Sequence, residues 1–190
     1  MEADWAAEIG PDFSSIDVPW EGFVDLRKKS FAVEDISEAA SHPALSAALR
    51  ALNTEDSPVF TSKCDRWIIA DEALDPDEFD SSAEEAQIAV ASYIDISQRD
   101  PIQLTSFDFH ESWARQLTAA LRTIPITQAR IDLVLRPATV DQHCGFGMTL
   151  YAAGCGSNAA EAEAAWQAVL AAAIPATIKS ASARASSSIG

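Results

Sequence analysis

Apolar positions recur along this chain with two periods, and the periods divide it into segments. Ile131, Leu133 and Leu135 alternate with Arg130, Asp132 and Arg136, the period of two of a strand with one buried face. Pro137 has no N–H to donate and is expected to end that ladder. In a second strand, about Gly145 to Ala153, Phe146, Met148, Leu150 and Ala152 point one way and Gly147, Thr149, Tyr151 and Ala153 the other. The connection, Ala138 to Cys144, is short enough for an antiparallel hairpin. Gly154-Cys155-Gly156 reads as a tight turn and Ser157 as a helix N-cap. Trp166, Val169, Leu170, Ala173 and Ile174 then follow a helical period, with Pro175 as the stop. The stretch 129–174 is thus a ββα unit with an apolar underside.

The middle of the chain has a matching pattern. Pro58–Ala70 reads as a strand with neither face cleanly apolar, so a bulge is expected. Gln87–Ser97 reads as the next strand, with Ile88, Val90, Ile94 and Ile96 towards the core and Ala89, Ala91, Tyr93 and Asp95 opposite. A helix follows, with Asp108 and Glu111 spaced as a capping box, a stripe of Phe109, Trp113, Leu117, Leu121 and Ile124, and Pro125 as its close. Asp71–Glu85 is expected to be an exposed acidic loop. Upstream, Val33–Ala40 and Pro43–Leu52 read as helical pieces, the second with Asn53 as C-cap.

These elements predict an α+β fold. Two ββα units form a four-stranded, mainly antiparallel sheet with two helices on one face, preceded by an N-terminal helical segment. Residues 1–19 are expected to be a loose acidic arm, 20–178 a single domain, and 179–190 a disordered Ser/Ala-rich tail.

Composition narrows the function classes. A formal net charge of −16 and a pI near 4.3 argue against direct nucleic-acid binding, which needs clustered Lys and Arg, and against an anionic membrane surface. No apolar run approaches the roughly 20 residues of a membrane span, and the acidic start lacks the features of a signal peptide. Three irregularly spaced cysteines make no disulfide framework, which points to a reducing cytoplasm. Abundant alanine, with arginine favoured over lysine, is a composition associated with GC-rich bacterial genomes.

Three sets of residues are candidates for chemistry. Cys155, between two glycines at an expected helix start, has the setting that lowers a thiol's pKa; the ordinary reading is a small residue filling a turn. His110 is the candidate base for it. His143-Cys144 and the acids Asp75, Asp77, Glu78 and Asp80 lack the spacing of a metal site, so neither a metal nor a cofactor is expected. Tyr93, Arg130, Arg136 and Tyr151, with Asp95, Asp132 and Thr149, should project together from the second sheet face as a ligand-binding set. The leading expectation is a non-catalytic ligand- or protein-binding module. The alternatives are a small enzyme using Cys155 as a thiolate, and a homodimer that buries the open sheet face.

Overall fold

A computed structural model describes residues 1–70 and 74–185. The fold is α+β, built on one open sheet of six strands. In chain order the strands are β1 (Glu2–Ala7), β2 (Ile16–Val18), β3 (Val59–Ala70), β4 (Ile88–Gln98), β5 (Ala129–Val140) and β6 (His143–Gly156). The helices are α1 (Ser37–Ala40), α2 (Pro43–Leu52), α3 (Pro101–Leu104), α4 (Phe107–Arg122) and α5 (Ala159–Ala185), with 3-10 turns at Ser30–Asp35 and Pro76–Phe79. The sheet order is β1-β5-β6-β4-β3, and β2 also pairs with β5.

The expected four strands are therefore too few. Residues 2–7 and 16–18, read as part of a loose arm, lie parallel to β5 and extend the sheet beyond it. Met1 is tied down by its amino group, which donates to the Ile124 carbonyl at 3.1 Å. Arg122 Nε donates to the Ala3 carbonyl at 2.7 Å. A six-residue segment with only Ala3 fully buried has too weak a period to reveal that it pairs; its ladder partner supplies most of the stabilisation. Trp5 packs on the core and lies under the Arg115 guanidinium, 4.8 Å from the ring centroid. Trp5→Ala is therefore expected to lower stability by about 1–2 kcal/mol in urea unfolding, where a loose arm would give no change.

Pro137 does not end β5. It falls between the β1 ladder, whose last partner on β5 is Leu135, and the β2 ladder, whose first is Ala138. A residue without an N–H sits there without breaking a strand pair. The β5–β6 hairpin closes at Val140–His143 through Asp141 and Gln142, both at positive φ (47° and 75°), the geometry of a type I′ turn.

All the long helices pack on one face. Trp113, Leu117 and Leu121 of α4 and Trp166, Val169 and Ala173 of α5 meet Ile131, Leu133, Leu150, Ile94 and Ile96 in one buried cluster. The N-cap of α4 is Ser106, whose Oγ accepts from Phe109 N, and not Asp108. At α5, Asn158 Oδ1 accepts from Ala160 and Glu161 N–H, the capping that was expected of Ser157. Gly154 and Gly156 lie within β6 and form no turn. Gly154 is glycine because α5 crosses it closely: a Cβ there would sit 2.6 Å from the Ala165 carbonyl carbon. Pro175 stands inside α5. The helix continues because its last turns are packed: Thr177 and Ala181 are fully buried, and Ser180 Oγ accepts from Trp113 Nε1 at 2.9 Å. The expected tail is thus helical to Ala185, and residues 186–190 lie outside the described residues.

Candidate functional site

On the sheet face away from the helices, alternate residues of four strands form rows. The register places Asp65, Tyr93, Tyr151 and Asp132 side by side across β3, β4, β6 and β5. The next row is Trp67, Ala91, Ala153 and Arg130. Trp67, Tyr93 and Tyr151 form a line of tilted rings with centroids 6.3 and 6.1 Å apart. Of the four residues expected to form a ligand-binding set, Tyr93, Tyr151 and Arg136 are contiguous, since Arg136 Nη2 donates to the Tyr151 hydroxyl at 3.3 Å. Arg130 lies on the adjacent row, gripping Asp132 through two bonds of 2.6 and 3.0 Å, with Glu78 at 4.0 Å.

Both ends of this face are covered. At one end Ile16, Val18 and Phe60 form a small cluster with Leu104, Ala138 and Val140. At the other, the segment after residue 73 folds back so that Phe79 and Ala86 bury against Ala89 and Cys155. Of the expected exposed acidic loop, residues 71–73 lie outside the described residues, and 74–85 form a partial lid held by Phe79, flanked in sequence by Glu78 and Asp80. Asp75 caps its 3-10 turn by accepting from Asp77 N.

Between the covers lies a hollow of about 240 Å³. Ala91 and Ala153 floor it, Trp67 and Tyr151 wall one side, and Leu74 and Phe79 wall the other. Glu78, Arg130 and Asp132 close one end. Small residues at neighbouring positions of adjacent strands, surrounded by aromatic ones, leave a recess about one side chain deep. The end cluster carries two carboxylates against one guanidinium, a net charge of −1. Burial, with Asp95 and Asp65 nearby, pushes the Tyr93 hydroxyl up to about 12, so it stays a neutral donor. Burial raises Asp95 above the ordinary carboxylate value, opposed by the hydrogen bond from Thr149 at 2.6 Å. The alanine floor and the Phe79 lid were not anticipated. Alternation placed Ala91 and Ala153 on this face, but only strand pairing makes them neighbours.

The structure separates the two residues of the enzyme reading. Cys155 is fully buried beneath the lid on the open face. His110 is fully buried on the helix side, its ring 6.1 Å from that of Phe146 near the opposite end of β6. Nine steps of extended strand separate Phe146 from Cys155, about 30 Å. Burial raises the Cys155 thiol pKa instead of lowering it, because it sits in a strand and not at a helix start. Cys64 is pushed up by burial to about 12. A thiol reagent at neutral pH is therefore expected to modify exposed Cys144 first and to leave Cys155 unmodified until the protein unfolds, as read by mass spectrometry.

His110 Nδ1 lies 2.8 Å from the Ser106 carbonyl. Burial holds its pKa below the ordinary 6.5. The folded protein thus keeps it neutral while the unfolded chain takes a proton as pH falls below 6.5. Its contribution to stability is present above that pH and is lost as pH falls towards the depressed folded value. The difference in urea midpoint between wild type and His110→Phe should stay constant above pH 7 and shift against the wild type between pH 6.5 and 5, where the wild type falls faster.

His143 and Cys144, at the exposed start of β6, are not joined by His110, and the described residues hold no group of three or more His, Cys, Asp or Glu placed to bind a metal ion. No described helix is long and apolar enough to cross a membrane. Compared with protein-family models, curated proteins and solved structures, this chain matches none.

Proposed function

We propose that the protein is a non-catalytic binding module whose open-face hollow takes a small organic cation, an amine or guanidinium on a flat apolar body. The observation that carries this reading is the alanine-floored recess, walled by Trp67, Tyr151 and Phe79 and closed by the Glu78–Arg130–Asp132 cluster. Aromatic walls attract cations through their ring faces, and the end cluster adds a net negative charge. The overall charge of −16 draws cations towards the surface from a distance. The covers at both ends of the face leave a recess instead of a flat surface, which favours a small ligand over a second sheet packed against it. The separated Cys155 and His110 give no support to the thiolate-enzyme alternative.

The test is a panel of aryl amines, aryl guanidines and the corresponding aryl carboxylates, followed by tryptophan fluorescence and thermal shift. Amines are expected to bind and carboxylates not to. Ala153→Leu fills the hollow and should weaken binding at least tenfold, with the melting temperature held within a few degrees. Equal binding of carboxylates, or binding that is indifferent to Ala153→Leu, overturns the reading.

A further inference from the structure

The two edges of the sheet are finished differently. At one edge, β1 carries the charged Glu2 and Asp4, and Arg122 of α4 takes the Ala3 carbonyl. At the other edge, the first half of β3 is also closed. Arg99 Nε donates to the Val59 carbonyl at 3.0 Å, Asn53 Oδ1 accepts from Thr61 N–H at 3.1 Å, and Trp20 Nε1 donates to the Ser62 carbonyl at 3.2 Å. A register shift between Thr61 and Cys64 bends the strand at that point. These are the devices that keep an edge from pairing with other chains.

The second half of β3 has none of them. From Cys64 to Ala70 the strand pairs with β4 on its inner side only. Outside that ladder, one backbone group of this stretch is engaged among the described residues: Arg66 N–H, which donates to the neighbouring Asp65 carboxylate at 2.7 Å. The stretch contains no proline or lysine, and its single arginine is paired with Glu163 and stacked over the Trp166 ring. It exposes large apolar side chains on both faces, Trp67 at 36% and Ile68 at 55%.

We infer that the outer edge of β3 from Cys64 to Ala70 is a strand-addition site for an extended, basic segment of a partner protein. An added strand takes the free backbone groups, and its alternate side chains lie over Trp67 on one face and Ile68 on the other. The charge of the occupant follows from the surroundings. Asp65 is an exposed carboxylate that is released when its hold on Arg66 N–H is replaced, and Asp35 and Glu38 line the adjoining cleft at the bulge with a single lysine, Lys63, so the surroundings are net acidic. Lysine or arginine at alternate positions of the incoming strand meets these groups. A second copy of this chain brings a further −16, which opposes self-pairing. The proposal concerns the strand edge and does not depend on what occupies the hollow.

A random dodecapeptide library displayed on phage, selected against the whole protein, tests this. Enriched sequences should alternate β-branched or aromatic residues with lysine or arginine. A synthetic enriched peptide should slow hydrogen exchange at 64–70, and its affinity should fall at least tenfold when its alternate backbone nitrogens are methylated. Ile68→Lys, which charges the edge, should cause a similar loss, whereas Ile102→Lys, at the most exposed large apolar residue on α3, should leave binding within twofold. Four results overturn the inference: no enriched peptides, enrichment in acidic or helical-period sequences, binding indifferent to backbone methylation, or a dimer in sedimentation that Ile68→Lys dissociates. The last assigns the edge to a second copy.

Discussion

Trp166→Ala is expected to destabilise the protein by about 3–5 kcal/mol, the range for truncating a large buried aromatic. The ring is fully buried between α5 and the sheet, and the loss has three sources. The cavity is lined by residues of a sheet whose backbone is held on both sides, so it has little freedom to collapse. Ser92 Oγ, which accepts from Trp166 Nε1 at 2.8 Å, loses its donor in a buried site. The Arg66 guanidinium, 5.2 Å from the ring centroid, loses the surface on which it stacks. Trp166→Phe keeps most of the volume but not the N–H, and should cost less than half as much. Urea unfolding of both variants separates packing from the hydrogen bond. Equal losses for Ala and Phe assign the effect to Ser92, and a loss below 1 kcal/mol for Ala contradicts the packing described above.

Gly154→Ala is expected to be comparably severe, at about 3 kcal/mol or more, although it adds one methyl group. Overpacking usually costs about 1–3 kcal/mol because flexible side chains give way. Here the added Cβ meets backbone, the Trp166 nitrogen and the Ala165 carbonyl carbon, which are fixed by the helix. Relief requires α5 to lift from β6, which uncovers the cluster around Trp166 and Val169. Because α5 packs more closely on β6 than on any other strand, this change also tests the placement of the whole helix. A melting temperature within two degrees of wild type, measured beside Trp166→Ala, shows that the helix stands further off the sheet.

The candidate site was legible in part. Period-two alternation placed Tyr93, Tyr151, Arg130 and Arg136 on one face, and the structure brings three of them into contact. It also placed Ala91 and Ala153 there, but an alanine on a strand says nothing of a hollow until its cross-strand neighbours are known. Trp67 falls in the stretch Pro58–Ala70, where neither face is cleanly apolar, and its place beside Tyr93 depends on the register of β3, which the bulge at Thr61–Cys64 shifts. Cys155 misled for a related reason. Glycines on either side suggested a turn, whereas they mark a strand that a helix crosses closely.

Local pattern by itself determined the α+β class, the span of α2 at Pro43–Leu52, the strands β3 and β4 to within a residue or two, and the apolar stripes of α4 and α5. The helical stripes and β4 rest on a period repeated over ten or more residues, long enough for side-chain direction to dominate over local accidents, whereas β3 rests on its run of strand-favouring residues after Pro58. Tertiary structure alone decided the rest. Whether residues 2–7 pair with β5 and whether α5 continues past Pro175 depend on contacts with segments more than 50 residues away, and Phe79 folds back onto Cys155, 76 residues on, as well as onto nearby Ala86 and Ala89. A short strand, a proline-containing helix turn and an acidic loop each have weak or adverse local preferences. A distant surface supplies the burial and hydrogen bonds that override them, and no window along the chain contains both partners.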